Sequence, residues 1–338
     1  MNIIIHGPLE KDFLFKNLNK IRHASEDDHI IISVYNEELE KTKVIIDSVP
    51  VRNKVTLIGS DDVFNPGFFN INRQINLVSA ALNVIEDESD FILKVRMDQT
   101  INFRWVRKVV TEKHEELKDK LITTNCYTRK DRLYHPSDMF LAGTKKTLRA
   151  YYPEEFFQET HMDNLLKIKE LVLSGYKGGY HKYWPESRLF MNYLSILGEE
   201  LQDTEICSQS QLKKHVYIFN SWDIGLKWKK FLKGKVNVLP YFFVLRPFER
   251  GPLENAENFL ASDLTGYTKK PLREMIYNSL AKLYFKSGAY LANPIFIDNK
   301  SLIPKLLRKM FDHSYKFIPP ILHNLMYKVA KRVYYAFK

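Results

Sequence analysis

The chain has 338 residues, 45% of them hydrophobic, 13% aromatic and 27% charged, enough to bury one large core or two ordinary ones and incompatible with a disordered or collagen-like chain. Its formal net charge of +11 is concentrated near the C-terminus, where between Lys300 and Lys338 nine cations face Asp312 alone. No stretch reaches the roughly 18 consecutive apolar residues of a membrane-spanning helix, and Cys126 and Cys207 stand far apart without a metal or redox spacing, as in a reducing compartment.

Residues 1–8 carry no basic leader and only a short apolar run before a turn, so they read as a first strand rather than a signal peptide. Further strands are expected over residues 29–34, 55–58 and 91–95, alternating with helices over 11–21, 37–46 and 72–85. That alternation predicts an α/β fold, a mainly parallel sheet flanked by helices. The pattern then loosens into a helix over 103–117, strands over 121–124 and 139–142, and helices over 163–173, 186–197 and 272–285. The expected division is a domain over 1–245, a helical extension over 246–299 and a basic region over 300–338.

In that last region Ile321, Leu322, Leu325, Met326, Val329 and Val333 fall at helical spacing opposite Asn324, Lys328, Lys331 and Arg332. A basic amphipathic helix with Tyr327, Tyr334 and Tyr335 suits an anionic membrane surface, each cation adding on the order of 1 kcal/mol. The plainer reading is a helix packed on its own domain with a solvated basic face. Nucleic acid is not expected as a partner, because no recognition motif accompanies the charge.

Several chemistries drop out by inspection. There is no G-x-G-x-x-G after the first strand, no Walker loop and no G-x-S-x-G elbow, and His114-Glu115-Glu116-Leu117 lacks the second histidine of a zincin. A parallel sheet binds ligands beyond the carboxyl ends of its strands, so the polar residues there matter most.

In the strand over 91–95, alternation puts Phe91, Leu93, Val95 and Met97 on one face and Lys94, Arg96 and Asp98 on the other. Two cations and a carboxylate in a covered sheet are costly unless they meet each other or a charged ligand. A nucleoside diphosphate with a divalent cation (Mn or Mg) would satisfy them, Asp98 holding the metal and Lys94 and Arg96 the phosphates; an internal ion pair on an edge strand is the alternative. The same rim receives His6-Gly7-Pro8 from the first strand, Ser33 and Tyr35 from the second, and Asp61 and Asp62 after the third. Tyr35 can stack on a base and the aspartates can accept from ribose hydroxyls. Asn70 is a good N-cap for the helix carrying Asn72-Arg73-Gln74, and Arg73 in its first turn opposes the helix dipole unless an anion binds there.

The order Ile3-Ile4-Ile5-His6-Gly7-Pro8-Leu9, Ile31-Ile32-Ser33-Val34-Tyr35-Asn36-Glu37, Asn72-Arg73-Gln74, Lys94-x-Arg96-x-Asp98 and His135-Pro136-Ser137-Asp138 resembles the WavE lipopolysaccharide-synthesis family of bacterial glycosyltransferases over roughly residues 1–200. The resemblance implies a GT-A-like fold, a nucleotide-sugar donor and a lipid-linked oligosaccharide acceptor of lipopolysaccharide, O-antigen or capsule. From the strand-end rim and these motifs together, the expected donor contacts are His6, Gly7, Pro8, Ser33, Tyr35, Asp61, Asp62, Asn72, Arg73, Gln74, Lys94, Arg96 and Asp98; on the analogy Asp98 stands where GT-A enzymes carry Asp-x-Asp, although no D-x-D occurs in this chain. On the same analogy Asp138 faces the acceptor, and Glu186, opening a helix after Trp184-Pro185, is the expected base. The plainer readings are a turn residue for Asp138 and, for Glu186, an acidic residue favoured by the helix dipole. The enzyme is then expected in the cytoplasm, peripheral on the inner face of the cytoplasmic membrane. Competing readings are a sugar-phosphate transferase and a non-catalytic membrane-binding α/β module.

Overall fold

Ile3, Ile4 and Ile5, and Ile30, Ile31 and Ile32, place three apolar β-branched residues in succession, the composition of strands covered on both faces. All six are at most 1% exposed, in β1 (Asn2–His6) and β2 (His29–Tyr35). The computed structural model describes residues 1–130, 132–173, 180–229, 258–265, 271–272 and 274–275. β3 (Val55–Ser60) and β4 (Phe91–Arg96) follow, each within two residues of its expected place. They alternate with α1 (Lys11–Arg22), α2 (Leu39–Asp47) and α3 (Ile71–Asn83). Ile71, Ile75, Val78 and Leu82 make the buried stripe of α3, and each such side chain fully withdrawn from water contributes about 1.5–3 kcal/mol.

Beyond β4 the chain forms β5 (Gln99–Thr100), α4 (Phe103–Glu112), α5 (His114–Leu117), β6 (Leu121–Thr124), β7 (Phe140–Thr144) and α6 (Lys145–Tyr151). α7 (His161–Leu173), α8 (Pro185–Ile196), α9 (Glu205–His215), β8 (Val216–Phe219), β9 (Lys227–Trp228) and α10 (Ala261–Leu264) complete it. The helix expected over 103–117 is interrupted at Lys113, whose backbone leaves the helical region (φ −110°, ψ 22°). β5, β8, β9, α6 and α9 had no counterpart in the sequence reading.

The main sheet has the order β3-β2-β1-β4-β7-β6-β8, with β7 antiparallel to β4 and β6 and the other pairs parallel, while β5 and β9 form a separate antiparallel pair. This is an α/β fold, a mixed and mostly parallel sheet flanked by helices. The chain steps from β1 to β2 on one side, whereas α3 delivers β4 to the other side of β1. The carboxyl ends of β1, β2 and β4 therefore meet at a switch in strand order, where such sheets open a crevice.

The chain divides into two units, residues 1–230 with 259–268, and residues 231–258 with 269–338. The expected basic helices over 300–338 lie outside the described residues, as do most of the extension over 246–299 and of the helix over 272–285. No helix among the described residues is long and apolar enough to cross a membrane.

Candidate active site

A cleft of about 480 Å³ opens at this switch point, bordered by the ends of β1, β2 and β4 and the start of α3. One wall is His6, which pairs in register with Ser33 on one side and Arg96 on the other. The imidazole is 4% exposed, and neither ring nitrogen has a hydrogen-bond partner among the described residues. Burial, reinforced by Lys94 and Arg96, holds its pKa well below the usual histidine range, so the ring is neutral with one donor and one acceptor nitrogen. Gly7 follows with φ of +117°, a conformation suited to glycine, and its N–H donates to the Ser33 carbonyl at 3.2 Å.

Tyr35 lines the cleft from the end of β2. Burial and the Asp62 carboxylate push its phenol up to about 12, so it keeps its proton. Arg73 and Gln74 border the cleft from α3, Gln74 donating to the Tyr152 hydroxyl at 2.7 Å. Arg73 settles the conflict expected at its helix start without an external anion: its Nε donates to Asp62 Oδ1 at 2.8 Å and its Nη2 to Asp62 Oδ2. Asn70 adopts a left-handed conformation (φ 63°) and makes no cap; its Oδ1 accepts from Arg73 at 3.3 Å.

The floor comes from β4 and the turn after it. Arg96 pairs with Asp98 (Nε to Oδ1 3.2 Å, Nη2 to Oδ2 3.4 Å) and lies 5.6 Å from the centroid of Trp228. The Trp228 indole N–H also donates to Asp98 Oδ2, at 2.6 Å. Lys94 lies beneath the cleft instead of lining it. It is fully buried and donates to the Asp138 backbone carbonyl at 2.6 Å, and burial, opposed by Asp138, brings its ammonium down to about 7.

The sequence reading thus separates into groups. His6, Gly7, Pro8, Tyr35, Asp62, Arg73, Gln74, Arg96 and Asp98 border one cleft. Asn72 does not: fully buried, it donates to the carbonyls of Asn65 (3.0 Å) and Phe157 (2.7 Å) and accepts from the Phe157 N–H (2.9 Å), fastening the loop before α7 to α3. Ser33 is buried within the sheet, and Asp61 is exposed, accepting from Asn36 at 2.7 Å, so neither lines the cleft.

Asp98 is also a poor fit for the expected divalent cation. Both its oxygens are engaged by Arg96 and Trp228, and among the described residues no group of three or more His, Cys, Asp or Glu side chains is arranged to hold a metal.

The two expected catalytic carboxylates differ sharply. Glu186, in the first turn of α8, lies 3.4 Å from the Nε2 of buried His135. Burial would raise its pKa, but His135, a backbone N–H and Arg132 outweigh burial and hold it at about 2. Arg132 stacks 3.6 Å from the centroid of Trp184, tying this cluster to the aromatic packing before α8. Asp138 is 9% exposed, and its carboxylate makes no hydrogen bond to the described residues, while its charge acts on Lys94, Arg96 and Tyr152.

The sequence reading missed Trp228 and Glu38. Trp228 is 130 positions from the Asp98 it holds, and nothing local announces the contact. Glu38 lies in the short 3-10 turn after β2 and borders the cleft; its only sequence signal is a position beyond a strand end on the binding rim.

The family model for WavE lipopolysaccharide synthesis matches residues 1–224, and the chain belongs to that family. No curated protein matches the sequence. Among solved structures the chain is similar to mouse xyloside xylosyltransferase 1 in its apo form (6% identity, 65% of this chain and 86% of that one, TM-score 0.37). It is also similar to 4-diphosphocytidyl-2C-methyl-D-erythritol synthase from Anaerococcus prevotii (11% identity, 65% and 87%, TM-score 0.35). A third likeness is to a mannosyltransferase from Pyrobaculum calidifontis in complex with GDP-Man and Mn2+ (9% identity, 63% and 74%, TM-score 0.31).

Proposed function

We propose that this member of the WavE family is a glycosyltransferase, which binds a nucleotide-sugar in the switch-point cleft and transfers the sugar to an oligosaccharide of lipopolysaccharide, O-antigen or capsule. The observation that carries the reading is the meeting, at the carboxyl ends of β1, β2 and β4, of a neutral buried imidazole with two guanidiniums already fixed by carboxylates. Held by Asp62 and Asp98, the guanidiniums of Arg73 and Arg96 do not need to be ordered when a diphosphate arrives, and their remaining N–H groups are suited to its oxygens.

In the reaction the bond from the sugar's anomeric carbon to the diphosphate breaks as the acceptor oxygen attacks that carbon. Arg96 and Arg73 stabilise the charge gathering on the leaving diphosphate. If the configuration inverts, a base must take the acceptor's proton. Neither expected carboxylate lines the cleft itself, and we assign that role to Asp138, whose carboxylate makes no hydrogen bond to the described residues and whose charge reaches Lys94 and Arg96, in preference to Glu186: a carboxylate held near pH 2 is a weak base. The basic sequence of residues 300–338 supplies attraction to an anionic membrane surface, where a lipid-linked acceptor would lie.

The test is to incubate the protein with a panel of nucleotide-sugars and lipid-linked oligosaccharide, followed by mass spectrometry of the product. A mass gain of one sugar residue without phosphorus supports the proposal. A gain that includes phosphorus would make the protein a sugar-phosphate transferase, and no gain with any donor would refute both.

A further inference from the structure

Glu38 brings a half-satisfied carboxylate to the cleft. Its backbone is fixed by the turn after β2, where its carbonyl accepts from the Thr42 hydroxyl at 2.8 Å. One side-chain oxygen, Oε1, accepts from the Leu9 N–H at 2.9 Å, anchoring the carboxylate beside the His6-Gly7-Pro8 turn. The other, Oε2, is shut off from water and has no partner among the described residues. A charged oxygen left this way is costly, and the cost is relieved when the side chain turns Oε2 into the cleft to meet a ligand's donor.

A second, independent vacancy borders the same cleft. His6 is 4% exposed, with both ring nitrogens unpartnered among the described residues. A carboxylate can only accept, and a neutral imidazole can both accept and donate. Their complement is a small group carrying two adjacent donors, one of which also accepts. Within a nucleotide-sugar that describes the vicinal hydroxyls of the ribose, whichever base is attached.

Resting on the nucleotide reading of the cleft, we propose that Glu38 and His6 form a clamp for the 2′- and 3′-hydroxyls of the donor's ribose. The donor is then a ribonucleoside diphosphate sugar, and donors built on 2′-deoxyribose are discriminated against. Losing one hydrogen bond to a charged acceptor corresponds to at least about tenfold in affinity.

The experiment is titration calorimetry on the full-length protein with UDP, GDP and CDP and with dUDP, dGDP and dCDP. We expect at least one ribonucleotide to bind about tenfold or more tightly than its deoxy counterpart. We further expect Glu38→Gln, which keeps the shape but replaces one oxygen by a donor, to shrink that ratio toward one. The comparison on the unaltered protein needs no variant, so a failure of Glu38→Gln to fold leaves it decisive. Equal binding of both sugars would overturn the clamp while leaving the cleft a nucleotide site. Retention of the full ratio in a folded Glu38→Gln protein would remove Glu38 from the clamp. Binding of neither series would overturn the nucleotide reading itself.

Discussion

Replacing Glu186 by glutamine separates a structural carboxylate from a catalytic one. The side chain is 21% exposed and lies 3.4 Å from the Nε2 of His135. Its pKa is held at about 2 against an ordinary 4.5, a difference corresponding to about 3 kcal/mol of folding stability. Removing one partner of a buried pair costs about 3–5 kcal/mol by general experience, so the two routes agree. At about 2–4 °C per kcal/mol for a unit of this size, Tm should fall by roughly 6–12 °C. The sign of the pH dependence follows from the depressed folded-state pKa. The contribution is complete above the unfolded value of 4.5 and is lost as pH falls from there toward 2. Urea denaturation of the parent protein and Glu186→Gln at pH 5, 4 and 3 should therefore show a gap that is widest at pH 5 and closes with acid. A gap below about 1 kcal/mol at pH 5, or one that stays constant into acid, would refute the ion-pair reasoning. Full stability with abolished turnover would return the role of base to Glu186.

Lys94→Met tests the buried ammonium. Because the folded-state pKa of Lys94 lies near 7, below the ordinary 10.5, the unfolded chain binds the extra proton between those values. Stability of the parent protein should rise by a few kcal/mol from pH 7 to 10 and that rise should vanish in Lys94→Met; a flat parent profile would contradict it. Asp138→Asn should lower transfer at least about a hundredfold while nucleotide affinity, read by calorimetry, is unchanged, and undiminished turnover would exclude Asp138 as base. At Gly59 a Cβ would fall on the outer ends of the Asn36 and Leu39 side chains, which can turn aside, so Gly59→Ala should change stability in chemical denaturation by less than about 1 kcal/mol.

β1, β2 and β4 were legible because each is an apolar run buried almost throughout, and no other element accounts for Ile3–Ile5 or Ile30–Ile32 between turn residues; β3, half-buried at the sheet edge, showed only as a short apolar run over residues 55–58. Once the sheet is parallel, its carboxyl ends share a rim, which is why His6, Tyr35 and Arg96 could be grouped from sequence alone. What escaped depends on contacts distant along the chain. Arg73 was read as awaiting a ligand anion, and the anion is Asp62 from the loop that precedes its own helix. Asn72 looked as available as its neighbours, yet it is occupied by the backbone of Phe157, 85 residues away. α6 carries only Leu148, Ala150 and Tyr151 as apolar residues, and the four residues of β8 are too few to show a period. Asp98 looked free for a cation because nothing near it in sequence foretells Trp228.

The central claim is that the cleft at the ends of β1, β2 and β4 receives a nucleoside diphosphate. Isothermal titration with nucleoside diphosphates, on the parent protein and on Arg96→Ala, tests it most directly. Saturable binding by at least one nucleotide, weakened about tenfold or more in Arg96→Ala while the fold is retained, is the predicted result. Absence of binding by every nucleotide, or equal affinity in a folded Arg96→Ala protein, would contradict it.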